Sequence, residues 1–363
     1  MSTTSHRHAP RRAVALLGAA AVALAACSSS STPTSSAVTT TAPKTTPAAL
    51  TAAPAGGVAT AAPVPSKGCG TSTVRMVTLE TRTLPGSSRF YLLTTPKQHD
   101  GKTPLPLVLD FHGLLEGAKV HAQNSKMAPF AQQHGFVVAM PNGSGTPVHW
   151  IVNNDRTTNP DLVFVGQVLD QIEAQLCIDT TRVYATGLSN GAFMSSTIGC
   201  TMNDRFAAVA PVSGITYGSG CNPGRHVPIL TFHGTQDPIL LFNGGIGSVL
   251  SDILSGKKAN AHAPTHVDLN GAGYPATVRR WAASNGCGAT PTEVHLTPTI
   301  IQRTYHCPAD GAVVFLIVTD GGHTWPGTLF SKGLERIMGP TDESISANTI
   351  IWKFFQRFTL PAH

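Results

Sequence analysis

The sequence predicts an α/β fold, a mostly parallel central sheet with helices on both faces. Three observations lead there. Short apolar runs alternate with stretches of helical spacing from about Val74 to Phe358, the pattern of strand–helix–strand units. Several of these runs are continuously apolar, as strands covered on both faces are. No internal repeat appears, so the 363 residues suit one large domain or two small ones and not a stacked array.

Taken in order, the first 26 residues read as an export signal. Arg7, Arg11 and Arg12 form a positive start, and Ala13 to Ala26 is apolar but too short to span a bilayer. The stretch ends in Leu24-Ala25-Ala26-Cys27, which resembles the lipobox of bacterial lipoproteins. That resemblance implies cleavage before Cys27 and a lipid on it, an anchor without a membrane span. The alternative is a plain secretory signal. Residues 27–68 then read as a lipid-anchor site and a disordered spacer of Ser, Thr, Pro and Ala, too poor in apolar surface to fold. Three of the six excess positive charges lie in the export signal, leaving +3 for the rest. So small an excess, with no basic tract, argues against nucleic acid.

From Cys69 onward (domain 69–363) the texture is globular. Strands are predicted at Val74–Leu79, Phe90–Thr94, Pro106–Phe111, Phe136–Met140, Val183–Thr186, Ala207–Val212, Pro228–Phe232 and Val313–Val318. Helices are predicted at Val120–His134, Leu162–Leu176, Asn190–Thr201, Ala276–Asn285 and Ser344–Phe358. The Gly-rich residues 243–274 fit no element and read as an inserted loop or flap. Cys69, Cys177, Cys200, Cys221, Cys287 and Cys307 remain once Cys27 is set aside. An even number in an exported chain predicts disulfides. Cys287–Cys307 and Cys200–Cys221 close short loops, and Cys69–Cys177 follows by elimination. No Cys or His spacing suits zinc, so no metal site is expected.

The chemistry gathers at four places. Gly187-Leu-Ser189-Asn-Gly191 follows a strand and opens a helix, the context of a nucleophile elbow. Its sharp turn demands small residues on either side and lifts the Ser189 hydroxyl clear of the sheet. A hydroxyl is a weak nucleophile without a base, and His323, on a Gly-rich loop straight after a strand, is the candidate. Asp237, also just past a strand, is the candidate acid that orients it, with Asp320 and Asp310 as rivals. The amides of Asn190 and Leu114 are the expected oxyanion donors, Gly113 being the neighbour that could replace Leu114. Trp150 and Trp325 are expected to line the substrate pocket, with core packing the alternative for each.

Together Leu107-Val-Leu-Asp-Phe-His-Gly113, Gly187 to Gly191, His233-Gly-Thr-Gln-Asp-Pro238 and Gly321-Gly-His-Thr-Trp-Pro-Gly327 resemble the family of polyhydroxybutyrate depolymerases, feruloyl esterases and acetylxylan esterases. The resemblance spans about Cys69 to Phe358. It implies an α/β-hydrolase fold and an exported serine carboxylic-ester hydrolase working through Ser189, Asp237 and His323. With the lipobox, the chain looks like an actinobacterial lipoprotein of this group. No cofactor is implied. The expected partners are a small or polymeric ester and, through the lipid, a membrane surface, with the chain a monomer. The rival readings are a peptidase or thioesterase on the same fold and a catalytically inactive surface-binding lipoprotein. One departure stands out: His112-Gly113 is followed by Leu-Leu-Glu116-Gly, where many members carry a loop richer in Gly or Cys.

Overall fold

The computed structural model describes residues 61–73, 75–259, 264 and 266–361. The export signal, Cys27, most of the spacer and His363 lie outside the described residues. A single mixed sheet of ten strands runs through the domain in the order β1-β2-β4-β3-β5-β6-β7-β10-β9-β8. In chain order the elements are β1 (Glu80–Thr83), β2 (Phe90–Thr94), β3 (Leu105–Phe111), α1 (Gly117–Ser125), α2 (Met127–His134), β4 (Val137–Pro141), α3 (Pro160–Gln175), β5 (Ile178–Leu188), α4 (Asn190–Thr201), β6 (Ala208–Val212), β7 (Ile229–Gly234), α5 (Ser248–Leu254), α6 (Tyr274–Ser284), β8 (Thr292–Thr297), β9 (Ile300–Tyr305) and β10 (Val313–Val318). A 3-10 helix (Phe330–Leu334), α7 (Glu335–Met338) and α8 (Ala347–Phe355) follow. The six central strands, β4 to β10 in sheet order, pair in parallel. The outer pairings on both flanks are antiparallel.

Alternation along each strand sorts the core into two layers. Leu107, Leu109, Val183, Phe315 and Ile317 pack on one face with Val165, Ile198 and Trp281 of α3, α4 and α6. Val108, Tyr184, Val314 and Leu316 pack on the other with Ala122, Met127 and Trp352 of α1, α2 and α8. Side chains that alternate across a strand thus feed two cores, one under each helical layer. Helix starts are set locally. Asn159 caps α3 by accepting from the amides of Asp161 and Leu162, with Pro160 in the first turn.

Four expectations need correction. The helix predicted at Val120–His134 is two helices, broken at Lys126, whose backbone is left-handed. Pro129 has no amide to give the Ser125 carbonyl four residues earlier, and the Asn348 side chain supplies that hydrogen bond at 2.8 Å. Over residues 75–79, the described part of the strand predicted at Val74–Leu79, no strand forms: the Val77 and Leu79 amides donate to the Thr95 and Thr94 hydroxyls, and a single backbone bond runs from Thr95 to Val77. The spacer ends earlier than residue 68, because Ser66 donates to the Ile178 carbonyl and Pro65 pairs with Asp179. Finally, residues 243–274 include α5 and are closed at the base, where Asn243 exchanges two hydrogen bonds with the Asp268 backbone.

The structure joins Cys69 to Cys177, Cys200 to Cys221 and Cys287 to Cys307. The first ties the start of the domain to the residue preceding β5, the strand that carries Ser189.

Candidate active site

Strands β5, β6, β7 and β10 lie side by side and parallel, so the loops at their C-terminal ends collect along one edge, where ligands of open α/β sheets bind. Ser189 follows β5, Ser213 follows β6, Asp237 follows β7 and His323 follows β10.

Ser189 caps the start of α4 with φ 58° and ψ −116°. A non-glycine residue persists there only when its surroundings enforce it. The Ser189 amide is fixed by the Val212 carbonyl at 3.0 Å. A Cβ on Gly191 would overlap the Phe111 carbonyl, and one on Gly187 would stand 2.6 Å from the same oxygen. Both glycines therefore let the elbow close against β3. The turn holds the serine half-exposed, at the N-terminus of a helix that favours developing negative charge.

Asp237 and His323 are brought together. His323 Nδ1 lies 2.7 Å from Asp237 Oδ2, and both residues are buried. The other carboxylate oxygen, Oδ1, accepts the amides of Ile239 and Leu240, each at 2.8 Å. Those two bonds fix the carboxylate plane and leave Oδ2 for the imidazole. With Nδ1–H donating to Asp237, the lone pair sits on Nε2, the tautomer a general base requires. The His323 amide is held by the Met338 carbonyl at 2.5 Å. Ser213 Oγ donates to the Thr324 carbonyl at 3.0 Å, and Gly214 beside it stands against the Ser189 carbonyl, so one loop touches both partners. Among the described residues no hydrogen bond joins the Ser189 hydroxyl to His323; such contacts commonly tighten when substrate binds.

The rival acids are elsewhere. Asp320 faces solvent at φ 59° with its amide on Thr235 Oγ1. Asp310 pairs with His226 at 2.8 Å.

Of the four amides from Gly113 to Glu116, that of Leu114 alone lacks a partner among the described residues. Gly113 donates to Glu116 Oε2 at 2.7 Å, Leu115 to the Val148 carbonyl and Glu116 to the Gly113 carbonyl. Gly113 is thus removed as the rival donor. A Cβ on Gly113 would lie 3.5 Å from Ser189 Cβ, which places this loop against Ser189. The Asn190 amide, at the first position of α4, also makes no hydrogen bond among the described residues.

The two tryptophans expected in the pocket are packing residues instead. Trp325 is 0% exposed, donates Nε1–H to Asn348 Oδ1 at 2.9 Å and sits edge-on to His121. Trp150 is 2% exposed, stacked edge-on against Phe111, with Nε1–H on the His112 carbonyl at 2.9 Å. An indole needs a partner for its N–H once buried, and both find one in the scaffold beneath the loops. Trp150 still serves the site, because the Asn190 side chain brackets its backbone with bonds of 2.7 and 3.1 Å.

Two clusters escaped the sequence reading. His233 on β7 stacks on Tyr274, donates Nε2–H to the Leu240 carbonyl at 2.8 Å and approaches Asp237 Oδ2 to 3.3 Å. Burial pushes its pKa down to about 4, so it is a neutral wall behind the acid. The second cluster is buried beneath the loop of residues 113–116. His121 lies between Asp110 Oδ1 at 2.7 Å and Glu116 Oε2 at 3.1 Å. Burial alone would lower its pKa, but the two carboxylates outweigh burial and raise it to about 10. The Glu116 carboxyl is in turn drawn down to about 2, His121 overcoming the opposing effect of burial. Nothing in the spacing of Asp110, Glu116 and His121 marks them as a unit.

Comparison with known proteins adds the following. Residues 91–251 match the family model described as Esterase PHB depolymerase. The chain is 30% identical to feruloyl esterase B of Piromyces equi over 65% of its own length and 42% of that protein's. It is 30% identical to the probable feruloyl esterase C of Aspergillus terreus over 54% of its length and 71% of that protein's. Among solved structures, the acetyl xylan esterase from Aspergillus awamori superposes with a TM-score of 0.52 at 15% identity, covering 77% of this chain and 98% of that one. That likeness is one of fold.

Proposed function

The chain belongs to the esterase family typified by polyhydroxybutyrate depolymerase, and from that premise we propose that it hydrolyses carboxylic esters by acyl transfer through Ser189. The observation that carries the reading is the buried 2.7 Å contact between His323 Nδ1 and Asp237, beside a serine held on a strained strand-to-helix turn. His323 Nε2 takes the Ser189 proton as Oγ attacks the ester carbonyl carbon. The negative oxygen that forms meets the amides of Asn190 and Leu114. His323 then gives its proton to the departing alcohol, leaving an acyl group on Ser189. Water attacks that acyl group as His323 accepts its proton; the tetrahedral adduct then breaks its bond to Ser189 Oγ, His323 returns the proton to that oxygen, and the free acid leaves.

The names of the relatives point to feruloyl and acetylated-xylan esters, and the family description adds polyhydroxybutyrate. The chain spans less than half of the Piromyces protein, and the choice among these esters is part of the proposal. Among the described residues no helix is long and apolar enough to cross a membrane. Export, with a lipid on Cys27 holding a monomer at the outer cell surface, completes the reading; Cys27→Ser should turn a membrane-associated protein into a freely secreted one.

The test is a panel of p-nitrophenyl acetate, methyl ferulate, acetylated xylan and polyhydroxybutyrate, with a peptide and an acyl thioester as controls. Wild type should cleave at least one ester in preference to both controls and label with a fluorophosphonate. Ser189→Ala should lose about a million-fold in turnover while remaining folded. Retention of a tenth of the activity in that variant would remove Ser189 from the mechanism.

A further inference from the structure

The buried Asp110–His121–Glu116 group has no place in the acyl-transfer steps, yet one end of it holds the backbone beside the nucleophile. Glu116 Oε2 accepts the Gly113 amide at 2.7 Å, and its other oxygen accepts Asn124 Nδ2 at 2.8 Å. His121 bridges Glu116 to Asp110, and Asp110 Oδ2 accepts Ser125 Oγ at 2.7 Å. The chain of contacts continues to the base's own loop. The Ser125 carbonyl accepts Asn348 Nδ2, Asn348 Oδ1 accepts the Trp325 indole, and Trp325 lies two residues past His323, edge-on to His121. His112, neutral through burial with its pKa near 4, is a further titratable group facing this cluster. Its Nδ1 donates to the Gly113 carbonyl at 2.7 Å and its Nε2 accepts the Gly143 amide at 2.8 Å.

The consequence lies in which amides are left over. Glu116 occupies the Gly113 amide and its own amide closes the turn on the Gly113 carbonyl at 3.3 Å. Leu115, at φ 70°, is tied to Val148. The peptide plane that presents the Leu114 amide is therefore fixed from both sides. We infer that Glu116, clamped by His121 and Asn124 and backed by Asp110, is the positioning residue that sets the oxyanion loop so that the Leu114 amide faces the reacting carbonyl. The inference rests on the serine-esterase reading. A carboxylate side chain here shapes the backbone, and an acyl oxyanion is the ligand the shaped loop receives. Donors held rigidly before the charge develops stabilise it without reorganising, so loosening the loop should weaken the transition state more than the ground state.

The test compares wild type, Glu116→Ala, Glu116→Gln and Asn124→Ala on p-nitrophenyl acetate, with every rate expressed per active site titrated by a fluorophosphonate. Per-site rates separate positioning from a structural role, which would reduce the number of competent sites and leave the rate of each unchanged. Glu116→Ala should lose about 100-fold in kcat/KM per site. The affinity of a phenylboronic acid, whose tetrahedral adduct on Ser189 places an oxygen in the same hole, should fall by the same factor. Glu116→Gln keeps an acceptor oxygen for the Gly113 amide and should recover at least a tenth of the wild-type rate. Should Glu116→Ala fail to fold, Asn124→Ala carries the question, with an expected loss of several-fold in both measurements. Per-site rates and boronate affinities within twofold of wild type in whichever of these two variants folds would overturn the inference. A wild type that neither labels nor cleaves the ester would instead overturn the esterase reading beneath it.

Discussion

Asp237 illustrates how one residue's role is set by the division of labour between its two oxygens. Oδ1 is spent on the backbone amides of Ile239 and Leu240, and Oδ2 receives His323. Changing Asp237 to Asn keeps the size but offers an amide N–H to whichever partner its oxygen does not serve. If the oxygen stays with the two backbone amides, the NH2 group faces His323 Nδ1 and selects the wrong tautomer. Turnover should fall by about four orders of magnitude, the scale seen when a serine hydrolase loses this orientation. Asp320→Asn alters an exposed side chain that makes no hydrogen bond to His323 among the described residues and should leave kcat/KM within about threefold. Steady-state kinetics on the two variants, each checked for folding, decide the matter. A crippled Asp320→Asn beside a nearly intact Asp237→Asn would transfer the acid's role to Asp320.

At the scale of elements, the elbow between β5 and α4 depends on the absence of two side chains. A methyl group on Gly191 has backbone, the Phe111 and His112 carbonyls, as its nearest neighbours, and neither can swing aside. Gly191→Ala should destabilise the fold by about 3 kcal/mol or more. Gly333→Ala, where nothing lies within 4 Å of the new methyl, should change stability by less than about 0.5 kcal/mol. Urea denaturation of both reads the contrast, and equal stabilities would mean that β3 and α4 are not locked together. The same elements show what a sequence makes legible. The strand Val313–Val318 and the elbow were readable because continuous apolar runs and Gly-x-Ser-x-Gly carry their geometry locally. The break at Lys126 was readable in principle from Pro129, but a periodicity count passes over it. The hairpin of β8 and β9 is hard to read because Thr292–Thr297 is mostly exposed and β9 mixes Gln302, Arg303 and Thr304 with its apolar residues although all six are buried. The positions of Ser189, Asp237 and His323 were accessible because each follows a strand. The clamp beneath the oxyanion loop was not, since its meaning lies in contacts across a turn. The burial of Trp150 and Trp325 was not either, since an indole near a catalytic loop reads alike whether it faces substrate or scaffold.

For the whole molecule, the three buried histidines with the largest pKa shifts shape how stability responds to pH, and they pull in opposite directions. His121 has its pKa raised to about 10 by Asp110 and Glu116, above the value of about 6.5 it has in an unfolded chain. Its contribution is therefore complete below about pH 6.5 and is lost progressively as the pH climbs toward 10, because the unfolded chain sheds a proton that the fold retains. His112 and His233 behave in the reverse sense. Burial lowers both to about 4, so the fold keeps them neutral while the unfolded chain takes up protons. Their contribution is complete above about pH 6.5 and declines as the pH falls toward 4. Glu116, drawn down to about 2, adds to the acid side below the usual glutamate range. The three disulfides restrict the unfolded chain at every pH and leave these slopes unchanged. Thermal unfolding of the oxidised protein should therefore show a maximum near pH 6.5 with decline on both sides. Replacing His233, which is removed from the His121 cluster, by Phe should flatten the acid limb and leave the alkaline limb in place. A midpoint that rises steadily from pH 6.5 to 9 would mean that His121 is not held as an imidazolium between its two carboxylates, and the clamp on the oxyanion loop would lose its charge.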